Sequence, residues 1–391
     1  MTTAAPTADR IRWLDGVRGG AALFVVLHHM WLASWPFYPE THGPWWLGWL
    51  LYGHLAVAVF IVVSGFSLAL APVRHGGRLV GGARRFIRRR AWRILPAYWT
   101  ALVISMFFFV FILRPETTGG EAARTFVIHA TLLQDVFGNV SPNGVFWSIA
   151  IEWQIYFVFP LILLVALRSR MAVAIALTTI AVVVGHELAT SVPALAKIEH
   201  LSPQFLALFA FGVFAAWAAH RELARWVKPA VVGLAVVAFV ALVALGLTNG
   251  SPWMTNHWFW VDMLFGTSVA GALLLTATTE RAWRSLTFGS RPAVFVGSFS
   301  YSLYLIHAPV LETLQRFVVE PLGLPPFATF VALLTVALPV VLAFCYGFYR
   351  LFEKPFLERR DLAALHTLPV WVWLSERRRS QPAGQIQEEP A

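Results

Sequence analysis

Long apolar stretches separated by short polar segments recur along the whole chain. Ten of them fall at about 19–35, 51–71, 95–113, 146–167, 171–189, 203–219, 229–247, 258–279, 292–311 and 327–349. Each approaches the roughly 20 mostly apolar residues that a helix needs to cross a bilayer. The pattern predicts an all-α polytopic membrane protein, a single bundle of about ten transmembrane helices, with no internal repeat and no linker to a second globular domain. It divides the chain into an N-terminal segment 1–18, a transmembrane domain 19–349 and a C-terminal tail 350–391, expected to be disordered after about 375.

Composition agrees. Of 391 residues 58% are hydrophobic and 13% charged, and the mean hydropathy is +0.66. A soluble domain of this length could not hide so much apolar surface. The formal charge of +10 suggests nucleic acid until its distribution is followed. With the N-terminus inside, 26 of the 30 Lys and Arg fall on cytoplasmic segments, and only Arg114, Arg124, Lys197 and Arg316 fall outside. This positive-inside pattern places both termini in the cytoplasm and leaves no case for nucleic-acid binding. The first segment resembles a secretory signal, but bulky Trp31 to Phe37 follow it where a small-residue cleavage site would stand. A single cysteine, Cys345, excludes an intramolecular disulfide and a Cys-rich metal site. No phosphate-binding Gly-rich loop, metal-ligand cluster or Gly-x-Ser-x-Gly elbow occurs.

Five constellations stand above this background. Arg18 and His29 lie eleven residues apart, which is about three helical turns plus 20°, so they share a face with about 16 Å between them. His28 lies about 80° off that face. An arginine at a cytoplasmic helix end also serves orientation, but a histidine at membrane depth points to function, and a neutral imidazole takes a hydroxyl proton as general base. Ser148, Glu152 and Tyr156 form a polar stripe at four-residue spacing. A carboxylate inside a span costs about 2.5–3.5 kcal/mol, so Glu152 calls for a cation or a hydrogen-bond donor on another helix. Ser300, Tyr304 and His307 share one face, as an acceptor pocket or as a packing network. Ser64 beside Gly65 fits either function or small-residue helix packing.

The fifth is basic. Eight arginines between Arg74 and Arg93, including Arg85, Arg88, Arg89, Arg90 and Arg93, exceed what orientation needs. Guanidinium forks bind phosphates and Trp92 offers a stacking face, which suits a cytosolic ligand with phosphates and an adenine ring. Anionic lipid headgroups suit the same cluster. His257 and Asp262 have the His-x4-Asp spacing of glycerolipid acyltransferases, but they lie where an outer loop enters the eighth span, and the match is read as chance.

From Arg10 to about Arg360 the chain resembles the acyltransferase-3 family of membrane O-acyltransferases. The resemblance is carried by Leu14-Asp-Gly-Val-Arg18 through His29, Phe60-Ile-Val-Val-Ser64-Gly-Phe66, Arg93-Ile-Leu-Pro96-Ala-Tyr98-Trp99, Phe146-Trp-Ser148 with Glu152-Trp153, Gly297-Ser-Phe-Ser-Tyr-Ser-Leu-Tyr-Leu-Ile-His307 and Phe352-Glu-Lys-Pro355. It implies transfer of an acyl group, usually acetyl, from acyl-CoA to a hydroxyl of a carbohydrate, glycan or glycosylated natural product, in a bacterial cytoplasmic membrane. It also implies that Arg18 and His29 are essential. Two departures stand out: a second histidine, His28, beside the expected base, and no extracytoplasmic SGNH-type domain after the last span.

The expected assignment is catalytic His29, Arg18 and Glu152, with Glu152 or a neighbouring carboxylate orienting the imidazole. Arg85, Arg88, Arg89, Arg90, Arg93 and Trp92 would hold acyl-CoA as co-substrate. Ser64, Ser148, Tyr156, Ser300, Tyr304 and His307 would line the acceptor pocket, with no metal and no bound cofactor. The partners would be acyl-CoA, the hydroxyl acceptor and membrane lipid. The rival is a transporter or flippase using the buried His and Glu as a proton or substrate path, against which stands the lack of repeats and of evident broken-helix pairs.

Overall fold

The computed structural model describes residues 9–40, 43–138, 140–279 and 287–359. Among them every regular element is helical and none is a strand. The helices are α1 (Asp9–Ser34), α2 (Leu55–Arg74), α3 (Gly82–Phe108), α4 (Gly119–Ala130), α5 (Gln134–Phe137), α6 (Phe146–Arg168), α7 (Met171–Ser191), α8 (Gln204–Ala219), α9 (Val227–Asn256), α10 (Trp258–Thr278), α11 (Arg291–Ser298), α12 (Ser300–Leu314), α13 (Pro326–Ala332), α14 (Leu338–Phe348) and α15 (Lys354–Arg359).

Among the described residues seven helical stretches are long and apolar enough to cross a membrane, or up to nine if each bent pair is one span. The sequence predicts ten, and the difference is α1. Its 26 residues give about 39 Å, but Arg18, His28 and His29 dilute its apolar run. The last helical stretch runs unbroken from Pro326 to Arg359, ten residues past the apolar limit at 349, and the added residues carry five charged side chains. The tail expected to be disordered lies outside the described residues.

The two bent pairs correct the expectation that no broken helices occur. Pro193–Leu201 meets α8 at 46°, and α11 meets the helix Ser300–Leu322 at 68°. The first break is made by Ser202, with φ of 46°, followed by Pro203, and the second turns at Phe299, with φ −123° and ψ 20°. The first break follows the polar run Lys197, Glu199, His200 and Ser202, and the second falls in Gly297-Ser-Phe-Ser300, but neither pattern states the angle at which the helices meet.

Packing at the centre is backbone against backbone. A Cβ on Gly65 of α2 would lie 2.1 Å from the carbonyl oxygen of Phe209 on α8, and one on Gly212 of α8 would lie 2.0 Å from that of Val62. The same device joins α1 to α11: a Cβ on Gly19 would lie 2.6 Å from the Gly297 nitrogen, and one on Gly297 would lie 2.0 Å from the Asp15 carbonyl oxygen. Small residues let helices approach this closely where lipid removes the hydrophobic drive to associate. In α12, Pro309 lacks the N–H that would bond the Leu305 carbonyl, and Asn143 Nδ2 donates to that carbonyl instead at 2.9 Å.

Outside the spans, Asp135 on α5 has a buried Oδ2 with no hydrogen-bond partner among the described residues, and burial pushes its carboxyl from 3.8 up to about 7. Below pH 3.8 folded and unfolded chains both hold this proton, and between there and 7 only the folded chain keeps it. Stability should therefore fall as pH rises through that window.

Three outcomes follow for thermal unfolding in detergent. Gly212→Val should destabilise by about 1–3 kcal/mol or more, because an overpacked contact against backbone has no rotamer to give way. Gly20→Ala, where nothing lies within 4 Å, should leave the midpoint unchanged or raise it. Asp135→Asn should flatten the decline in midpoint that the wild type shows between pH 5 and pH 7, a window spanned by the raised carboxyl value of about 7.

Candidate active site

The helix crossings place polar side chains at two levels of an otherwise apolar interior. The lower level surrounds a cavity of about 430 Å³ between α1, α2, α3, α6 and α12. Its wall includes Arg18, Ser64, Arg90, Arg93, Ser148, Glu152, Tyr156, Ser300 and Tyr304, nine of the residues singled out from the sequence. Arg18 Nη1 is 3.1 Å from Asp15 Oδ1, and its Nη2 donates to Ser67 Oγ at 2.7 Å. Glu152 Oε1 accepts from Ser64 Oγ at 2.8 Å and from Tyr156 OH at 2.5 Å. Two hydroxyls thus meet one carboxylate oxygen, and of the two partners expected on another helix, a cation or a hydrogen-bond donor, it is the donor, Ser64, that is found.

Ser64 and Ser67 are one turn apart on α2, so Glu152 stands at the level of Arg18 and not at that of His29. Arg18 and His29 are separated by about 16 Å of helix rise. The geometry therefore does not bring Glu152 to the imidazole it was expected to orient. At the upper edge of the cavity Ser148 Oγ and Tyr304 OH bond at 2.7 Å, while Ser300 Oγ donates to the Gly297 carbonyl at 3.0 Å.

The upper level is a group of imidazoles. The His29 ring lies 5.1 Å from that of His307 and 5.3 Å from that of His28. His307 is buried, and its Nδ1 donates to the carbonyls of Leu303 and Tyr304, both at 2.9 Å. Its Nε2 is buried without a hydrogen-bond partner among the described residues. With the proton held on Nδ1, that nitrogen carries a lone pair. His28 Nδ1 bonds the Leu50 carbonyl at 2.8 Å, and its ring packs against Gly53, where a Cβ would come within 2.2 Å.

Of the basic cluster, only Arg90 and Arg93 line the cavity. Arg85, Arg88 and Arg89 are exposed on the first turns of α3. Trp92, expected to offer a face to an adenine ring, stacks on Phe356 with the ring planes 8° apart and centroids at 6.3 Å. The α15 segment that supplies Phe356 lies beyond the last span expected from hydropathy.

Several partners were not legible from spacing. Asp15 and Ser67 hold Arg18, and Ser302 donates a short hydrogen bond to the buried Glu353. His257 and Asp262 do not pair: His257 Nδ1 bonds the Trp253 carbonyl of its own helix at 2.8 Å. Asp262 is instead 2.9 Å from His54 Nε2 and accepts from Gln204 Nε2 at 3.1 Å. An ionisable residue within an apolar span is the signal that marks Asp262 for attention, but nothing local identifies its partner 208 residues away. Among the described residues no group of three or more His, Cys, Asp or Glu is arranged to hold a metal ion.

Comparison with known proteins covers nearly the whole chain. Residues 11–346 match the family model described as an acyltransferase domain. The chain is 26% identical over 368 residues to the putative peptidoglycan O-acetyltransferase YrhL of Bacillus subtilis, a match covering 88% of this chain and 54% of that protein. It is 24% identical over 338 residues to the peptidoglycan O-acetyltransferase OatA of Listeria monocytogenes, covering 78% and 50%. For the O-acetyltransferase OatA of Staphylococcus aureus the identity is 22% over 381 residues, covering 91% and 58%. The chain thus spans about half the length of the curated relatives it matches. No solved structure matches it.

Proposed function

The chain belongs to the membrane acyltransferase family, and from that membership and the two-level site we propose that it moves an acetyl group from acetyl-CoA to a hydroxyl of a carbohydrate or glycan. It is a multi-pass bacterial membrane protein, with α1 counted in this proposal as a further crossing. The observation that carries the reading is the cavity of about 430 Å³ whose wall runs from three guanidinium groups, Arg18, Arg90 and Arg93, to the Ser148–Tyr304 pair. His307 follows Tyr304 by one turn and touches His29. A donor with an anionic head and a long, narrow arm ending in a thioester fits such a space.

The phosphates of the donor lie against Arg18, Arg90 and Arg93, where charge-assisted bonds are strongest. Exposed Arg85, Arg88 and Arg89 stand at the rim, where they capture the donor or hold anionic lipid headgroups. At the upper level His29 takes the proton of the acceptor hydroxyl as its oxygen attacks the acyl carbon. The new C–O bond forms, the C–S bond breaks, and the proton ends on the thiolate of CoA. His29 is preferred over His28 because the ring of His28 is tied to Leu50 and wedged on Gly53. His307, with Nδ1 committed to backbone carbonyls, places the lone pair of its Nε2 beside His29. Glu152, with Ser64 and Tyr156, sets the shape and charge of the donor cavity. The glycan acceptor is carried from the names of the peptidoglycan O-acetyltransferases that the chain is similar to.

A transport reading draws support from the bent pair α11–α12, whose second helix carries Ser300, Tyr304 and His307. Three arginines on the wall of one cavity, beside a hydroxyl-bonded carboxylate, favour an anionic donor over a transported substrate, and transport consumes no thioester.

Membranes carrying the protein, supplied with isotope-labelled acetyl-CoA and muropeptides, should yield label on an acceptor hydroxyl by mass spectrometry. His29→Ala should lower transfer by about 10²–10⁴-fold, the size of a lost general base. Substantial activity in His29→Ala with none in His28→Ala would reverse the assignment. Unconsumed acetyl-CoA and longer acyl-CoAs would move the reading to transport. In steady-state kinetics Arg93→Ala should raise KM for acetyl-CoA about tenfold or more, the cost of one charge-assisted hydrogen bond, while Arg85→Ala should have a much smaller effect.

A further inference from the structure

His54 stands at the head of α2, 20 residues from Arg74 at its foot, which separates it by about 30 Å from the arginine end. Its Nε2 donates to Asp262 Oδ2 at 2.9 Å, and Gln204 Nε2 donates to the same oxygen at 3.1 Å. Asp262 is fully buried. Aromatic rings pack against the imidazole: the indole of Trp258 at 4.1 Å, that of Trp147 at 5.6 Å with the planes 7° apart, and the Phe205 ring at 5.9 Å. The ring is therefore fixed in tautomer by a carboxylate and in plane by two aromatic neighbours. Its side chain is nevertheless 21% exposed, and among the described residues Nδ1 makes no hydrogen bond. With the proton on Nε2, Nδ1 presents a lone pair to whatever approaches.

This ring belongs to the upper level. Gly53, the residue before it, abuts the His28 ring, and that ring lies 5.3 Å from His29. An acceptor at His29 on its His28 side would lie near this oriented hydrogen-bond acceptor and its indole neighbours. Indoles offer broad apolar faces and the imidazole offers one polar point, a combination that suits a ligand with C–H faces and several hydroxyls.

We propose that His54, Trp147 and Trp258 form the acceptor-binding site, with Asp262 and Gln204 as positioning residues, and that the ligand is a carbohydrate presenting a second hydroxyl to His54 beside the one that is acylated. The inference rests on the acyl-transfer reading and names the substrate class of that reaction. A tie between α2, α8 and α10 is the purely structural alternative.

The test is steady-state kinetics of the full-length protein in lipid nanodiscs with labelled acetyl-CoA and muropeptides. His54→Gln and Asp262→Asn should each raise KM for the muropeptide about tenfold, the loss of one good hydrogen bond, with KM for acetyl-CoA within about twofold of wild type. A parallel rise in both constants, or an unchanged acceptor KM in folded protein, overturns the inference in favour of the structural tie. If either variant does not fold, wild type alone decides: excess unlabelled methyl glycosides with vicinal hydroxyls should inhibit transfer competitively against muropeptide, and their deoxy analogues should inhibit at least about tenfold more weakly. Equal inhibition by both overturns it. Wild type that consumes no acetyl-CoA overturns the acyl-transfer reading itself and the acceptor site with it, so the two failures are told apart.

Discussion

Contact between helix backbones at glycine is the constraint on which the rest of the structure depends. Within a bilayer, apolar side chains gain nothing from leaving lipid for protein, so helices are held by close van der Waals fit and by polar contacts. At Gly65 and Gly212 the fit is so close that neither position has room for a Cβ. The crossing sets α2 firmly against α8, with Ser64 and Ser67 toward the cavity. At Gly19 and Gly297 the same constraint sets α1 against α11, which fixes the height of Arg18 against α2 and presents it to Ser67.

Once these crossings exist, the polar side chains are sorted by level and not by sequence neighbourhood. Arg18, Asp15, Ser67, Ser64, Glu152 and Tyr156 satisfy one another around the cavity. The four histidines His28, His29, His54 and His307 collect near the other end. Of the histidines, His28 and His307 are bound to backbone carbonyls and His54 to a carboxylate, as burial in an apolar interior demands. The atoms left without partners there, such as His307 Nε2 and Asp262 Oδ1, lie at the level where the second substrate is proposed to arrive. In the proposed reaction, separation of the arginine end from the histidine end also separates the two halves of the chemistry. Phosphate binding requires fixed positive charge, whereas proton abstraction requires a base that is free of it.

Much of this was legible in particular residues. The eleven-residue interval between Arg18 and His29 places both on one face of any helix, whatever surrounds it. Four-residue spacing made Ser148, Glu152 and Tyr156 a stripe, and the cavity wall contains all three. Gly65 announced a close approach, and the approach is there. Trp92 shows the opposite case: a tryptophan beside arginines reads as a free stacking surface until a distant Phe356 is found against it. Asp262 has a near histidine, His257, at a spacing read as chance, and its real partner His54 is out of reach of any spacing argument.

By itself the sequence determined the apolar spans, the charge asymmetry, the helix faces and the short motifs, because hydropathy, helical period and chemistry are local properties. Tertiary structure alone decided that Glu152 bonds Ser64 and Tyr156 and stands away from His29, that His307 meets His29, and that His54 pairs with Asp262. It also decided the angles of the two bends, 46° and 68°, since a polar interruption in the sequence does not state how far the chain turns there. The physical reason is that such partners depend on the relative height and rotation of separate helices. Those quantities are set by side-chain and glycine contacts between helices far apart in the chain, and no periodicity within one helix encodes them.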